Sequence, residues 1–255
     1  TVPAIDQFPA QTVNMYFMKS DAPQMLRVLT NIPEAYRKYS GVDIAFQKRY
    51  SKGWQLGGSV TISKTWGNML GNYDNIWGYG AAGNSANWFV NNDGRMTDAD
   101  RPLVAKLYGT FNLPLGIFAS FNFNLYSGLP WQRSVTVYVP QAWATANGID
   151  LNRSSSYGVN TEPQASRRYY TYENCDFRLE KKFRFGKLGS LGVFLDVYNL
   201  FGNYFVNINQ NPGGTWRPTD NNATTGTYTP SANYKRITSI SNLTRVFRLS
   251  VRYEF

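Results

Sequence analysis

Three carboxylates, Asp93, Asp98 and Asp100, stand around Gly94 in the run Asn91-Asn92-Asp93-Gly94-Arg95-Met96-Thr97-Asp98-Ala99-Asp100. Such spacing could offer oxygen ligands to a calcium-like ion, but the EF-hand order and its closing Glu are missing. The sequence therefore favours a solvated turn, with these three as weak candidates and no metal expected. Asp43, Asp176, Glu180 and Asp196 could in principle work as paired acid and base. Arg and Lys share their strand faces, which favours cross-strand ion pairs instead. None of the 255 residues is His, so His-based triads and His zinc sites cannot be built from them. Cys175 stands alone and reads as a small apolar wall residue rather than a nucleophile. An enzyme is not expected, nor is a cofactor.

Binding chemistry is the remaining class. Aromatic residues make up 16% of the chain, and Trp77, Trp88, Trp131, Trp143 and Trp216 fall in long polar connections. As exposed rings they are candidates for contact with sugar or peptide ligands. The net charge of +10 and the pI of about 9.6 raise the question of nucleic acid. The 26 Lys and Arg are dispersed rather than gathered into one patch with stacking aromatics, so no nucleic acid partner is expected. Anionic solutes or lipopolysaccharide phosphates suit this distribution better.

The elements that must position these groups announce themselves by period-two alternation. In Val246 to Phe255 the residues Phe247, Leu249, Val251, Tyr253 and Phe255 share one face, while Arg248, Ser250, Arg252 and Glu254 share the other. The same rule predicts hairpins near residues 35–68, 101–128 and 169–204 and a closing strand at 243–255. Their turns are short, at Ser51-Lys52-Gly53, Pro114-Leu115-Gly116 and Gly186-Lys187-Leu188-Gly189. Residues 1–34 read as a weakly defined strand and outer loop, with Thr12 to Met18 a strand and Met25 to Thr30 a less certain one. Long connections, near 67–100, 129–168 and 205–243, lie at the other end. No run of 18 apolar residues exists, so a membrane role requires a barrel rather than a helix. Short turns at one end, long loops at the other and abundant aromatics predict an all-β, antiparallel transmembrane β-barrel wall of about eight strands. Charges keep to the polar face, except Lys48 and Lys181, which sit near short turns and can snorkel.

Five blocks carry a family resemblance. Tyr39-Ser40-Gly41-Val42-Asp43-Ile44 and Gln47 to Trp54 (QKRYSKGW) precede Asp100-Arg101-Pro102, Tyr126-Ser127-Gly128-Leu129-Pro130 and Phe194 to Phe201 (FLDVYNLF). In order and spacing they resemble TonB-dependent outer-membrane receptors, nearest the Oar-like group, over about residues 35–255. The resemblance implies the carboxy-terminal part of a 22-stranded barrel in the outer membrane of a Gram-negative-type bacterium. It further implies uptake of a solute, outer-membrane lipid and lipopolysaccharide as surroundings, and coupling to the TonB system through an amino-terminal plug outside these residues. Thr1, with no leader before it, fits the tail of a longer polypeptide. Phe255, with Tyr253 and Val251, becomes an expected signal for the barrel-assembly machinery. The alternative is a self-contained eight-stranded barrel with a structural or adhesive role, which requires the first strand to pair with the last.

Overall fold

The computed structural model describes residues 4, 9–23, 33, 35–68, 91–151, 155–208, 214–220, 225–241 and 244–255. Seven long strands form its main feature: β1 (Arg37–Ser51), β2 (Trp54–Gly67), β3 (Leu103–Leu113), β4 (Ile117–Tyr126), β5 (Tyr172–Arg184), β6 (Ser190–Tyr198) and β7 (Val246–Glu254). They lie in sequence order in one antiparallel sheet, with the two-residue strand Gly94–Arg95 paired to the end of β2. The shortest of the seven has nine residues and the longest fifteen, enough for a tilted crossing of a bilayer, which takes about nine to eleven.

The hairpins fall where alternation places them, and the turns supply the needed backbone. Lys52 (φ 52°) and Gly53 (φ 85°) are both left-handed, the pair of positive φ values that lets a two-residue turn follow the right-handed twist of its strands. Pairing from Val42↔Ile62 and Ile44↔Val60 through Leu107↔Phe123, Cys175↔Phe123 and Leu179↔Leu195 to Leu195↔Leu249 sets one face in register. That face is a continuous apolar band crossing all seven strands. Ile44, Ile62, Leu103, Leu195, Phe247, Leu249 and Val251 remain exposed on it. The opposite face carries Asp43, Thr61, Lys106, Asn122, Asn124, Arg178, Asp196 and Arg248.

Charges in the middle of the wall obey this division, whereas the register also places Lys38, Lys64 and Glu173 on the apolar face near its cap-side end, beyond the two exceptions expected. Lys48, on the apolar face, turns its ammonium back to the Ser51 and Trp54 carbonyl oxygens, both at 3.0 Å, and lies 3.8 Å from the centroid of the Trp54 ring. Lys181 likewise donates to the Leu115 carbonyl in the neighbouring turn. Both stems cross apolar surface and both charges end at the short-turn rim.

The described parts of the connections beyond residue 129 form structure of their own. Ser134–Tyr138 and Ser156–Asn160 pair antiparallel; Thr215–Pro218 joins Ser134–Tyr138 in parallel and pairs with Gly226–Thr229. With the helix α1 (Gln141–Ala146) they make a cap at the end of the wall opposite the short turns. The cap holds the compact core: Val135, Val137, Val159 and Trp216 form one cluster and Val139, Ala144 and Tyr157 another. Two smaller pairs, Pro130–Trp131 with Arg167–Arg168 and Phe205–Ile208 with Ile237–Ser241, flank it.

Thr12 to Met18 is not a strand. It runs extended beneath the cap, with Val13, Met15 and Phe17 packed against the two clusters. Its alternation reports one-sided burial, and at its end it meets the cap backbone, where the Met18 carbonyl accepts the Asp150 N–H at 3.0 Å beside the bridge Lys19↔Ile149. Met25 to Thr30 lies outside the described residues. Among the described residues β1 pairs with β2 alone and β7 with β6 alone, so the sheet is open at both edges and the first-to-last pairing required by a self-contained barrel is not formed.

Candidate functional site: the polar wall face and the cap junction

The polar face is cross-linked by side chains from neighbouring strands. Asp196 on β6 accepts from Arg178 on β5 and from Arg248 on β7, with Nε at 2.9 Å and Nη2 at 2.8 Å. The Arg178 and Arg252 guanidiniums flank the buried Phe194 ring at 5.5 and 5.0 Å. Nearer the turns, Lys182 reaches Glu254 at 2.5 Å. At the β1 side, Thr61 donates to Asp43 at 2.5 Å. These are the ion pairs and hydrogen bonds across strands expected in place of an acid and base pair. A groove in this face is lined by Gln47, Ser59, Lys106, Tyr108, Asn122 and Asn124, one cation set among amides and hydroxyls. With Ala45, Phe46 and Gly58 beside them, these groups offer exchangeable hydrogen bonds to polar and anionic groups.

The three candidate metal carboxylates take separate partners. Asp98 is exposed and pairs with Arg37 at 3.0 Å, while Asp93 accepts from the Tyr36 hydroxyl at 2.5 Å. Asp100 is fully buried, which corrects the expected solvated turn. It accepts the Thr65 N–H at 2.8 Å, Arg95 Nη1 at 2.8 Å and Arg168 Nη2 at 2.6 Å. A buried carboxylate is retained only when it is paired and hydrogen-bonded, and here the pairing ties β2 to the cap.

Two of the motif blocks meet at this junction. Arg101 donates to the Ser127 carbonyl at 2.6 Å, Ser127 Oγ bridges the Leu103 N–H and C=O, each at 3.0 Å, and Arg168 Nη1 binds the Gly128 carbonyl at 2.7 Å. Gly128 is packed so closely that a Cβ there would lie 1.9 Å from the Tyr169 carbonyl oxygen. Deeper in the cap, Glu162 is enclosed by Arg167 at 2.6 Å, Ser166 at 3.0 Å and the Arg133 N–H at 3.2 Å. Burial pushes this carboxyl up, but those donors together hold it below the ordinary carboxylate value.

The five candidate tryptophans divide differently from expectation. Trp131 and Trp216 are buried, and Trp143 is half-buried, with its indole N–H bonded to the Asp220 carbonyl. These correct the reading of exposed rings: Trp216 centres a cap cluster and Trp131 packs between Tyr169 and Arg167. Trp77 and Trp88 lie outside the described residues. Sequence reasoning missed Tyr169, Tyr170 and Tyr204, of which Tyr170 and Tyr204 are exposed. The adjacent pair Tyr169-Tyr170, ahead of a predicted strand, was the available signal. At the far end Val251, Tyr253 and Phe255 are all exposed, with the Tyr253 hydroxyl bonded to the Leu188 carbonyl.

Comparison with known proteins returns little sequence kinship. No family description matches the chain, and no curated protein matches it. Among solved structures it is similar to the outer membrane transporter YddB from Escherichia coli, with 14% identity and a TM-score of 0.42. The alignment covers 86% of this chain and 25% of the transporter, so the chain spans about a quarter of that protein's length.

Proposed function

We propose that this chain is the carboxy-terminal part of the barrel of a TonB-dependent outer-membrane receptor, forming wall and outer vestibule for uptake of a solute. The observation that carries the reading is the apolar face that crosses all seven wall strands, with large hydrophobics exposed on β1, β2, β3, β5, β6 and β7 and half-buried on β4, while the reverse face is polar and ion-paired. Water disfavours such a band by about 25 cal/mol for each Å² exposed, whereas a bilayer solvates it. Short turns at one rim, a folded cap at the other and two open edges that further strands can extend agree with it.

In this reading lipid and lipopolysaccharide surround the band, and the barrel-assembly machinery takes the last strand through Phe255, Tyr253 and Val251. The TonB system acts through an amino-terminal plug, while this segment houses the pathway without powering it. The test is to express the full gene product and measure outer-membrane fractionation, heat-modifiable migration in gels, and solute uptake with and without TonB. Uptake lost without TonB supports the proposal. A water-soluble product with no heat-modifiable form overturns it.

A further inference from the structure

Where β5 enters the cap, Tyr169, Tyr170, Tyr172, Asn203, Tyr204 and Phe205 line a pocket, and among the described residues no charged side chain lines it. We propose that this pocket binds a neutral saccharide. The rings are held in place rather than loosely displayed. Tyr172 stacks on Tyr126 with centroids 6.4 Å apart and planes 18° apart. Tyr169 is fixed between Trp131 at 6.2 Å and Phe205 at 5.7 Å, and its hydroxyl accepts the Ile208 N–H at 3.4 Å.

Against this rigid base Tyr170 and Tyr204 stand exposed, at 89% and 54%, although Trp131 beside Tyr169 is buried. An aromatic face left in water beside a packed core is a surface awaiting a partner. A pyranose ring offers C–H groups for the flat ring faces and hydroxyls for the phenols, Asn203 and Thr171. Among the described lining groups none is charged, and the carboxylate next to them, Glu173, accepts from Asn203 Nδ2 at 3.2 Å. The pocket's rings and amide are the same whether or not the wall transports what the pocket holds.

The experiment uses the full polypeptide in nanodiscs, titrated calorimetrically with maltohexaose, cellohexaose and chitohexaose. Saturable binding of at least one is expected, weakened about tenfold or more, which is ~1.4 kcal/mol, by Tyr170→Ala and by Tyr204→Ala. Tyr138→Ala, an exposed cap tyrosine away from the pocket, is expected to change nothing. Binding by none of the three, or binding untouched by both variants, overturns the proposal. Tyr170→Trp and Tyr204→Trp in discs of brominated lipid separate a saccharide site from a ring anchored in the membrane interface. Absence of quenching supports the saccharide, and strong quenching overturns it.

Discussion

Removing the charge of Asp100 should loosen the cap from the wall without unfolding the wall. The carboxylate is fully buried, and it holds the Thr65 N–H and two guanidiniums within 2.8 Å or less. Breaking a buried pair by deleting one partner costs roughly 3 to 5 kcal/mol. Here Arg95 and Arg168 keep 35% and 31% of their side chains exposed, and water relieves part of that cost, so about 2 to 4 kcal/mol is expected for Asp100→Ala. Asp100→Asn keeps an acceptor for Thr65 and loses the charge, and about half of that is expected. Asp98→Ala removes an exposed pair with Arg37, worth about 0 to 1 kcal/mol. Hydrogen exchange reads the difference locally: at about 1.4 kcal/mol per tenfold, the amides of Thr65, Met96 and Asp100 should exchange roughly 30- to 1,000-fold faster in Asp100→Ala. Amides in the middle of β5 and β6 should be unchanged. Equal exchange in the Asp100 and Asp98 variants would refute the buried-clamp reasoning.

A Cβ at residue 128 meets the Tyr169 carbonyl, so Gly128→Ala should destabilise the same junction by about 3 kcal/mol, visible as earlier proteolysis of the cap in a urea series. Glu162 is held below the ordinary carboxylate value of 4.5, so its ion-pair stabilisation is complete above that value. It should be lost as pH falls below it through the lower folded value; Glu162→Gln should remove this dependence, as followed by thermal unfolding of the cap between pH 6 and pH 3. Phe255 is wholly exposed and fills no core position, so Phe255→Ala should leave refolding into detergent unchanged while lowering the folded yield in cells several-fold. An equal loss in both settings would assign the residue to stability rather than to assembly.

The wall was legible because its rule is local. Each strand alternates with period two, each turn is short, and a register set by neighbours in sequence order needs no distant information. Lys48 and Lys181 were readable for the same reason, since the rescue of each charge lies in a turn only a few residues or one strand away. The cap was not legible. Its sheet joins residues 134–138 to 215–218 in parallel, a pairing fixed by a buried core around Trp216 rather than by any repeating pattern. A tryptophan in a Gly- and Thr-rich stretch looks exposed until its partners Val135, Val137 and Val159 are known. Asp100 hid for a related reason, because both arginines that neutralise it lie in segments that sequence reading left as loops.

The central claim, that the apolar band faces lipid, is tested most directly by nitroxide scanning of residues 246–254 in reconstituted bilayers, in a Cys175→Ala background. Oxygen and a water-soluble relaxant report lipid and water access at each position. The expected result is a period-two alternation in which Phe247, Leu249 and Val251 contact lipid while Arg248, Ser250 and Arg252 contact water. Uniform water access along the strand would contradict the account.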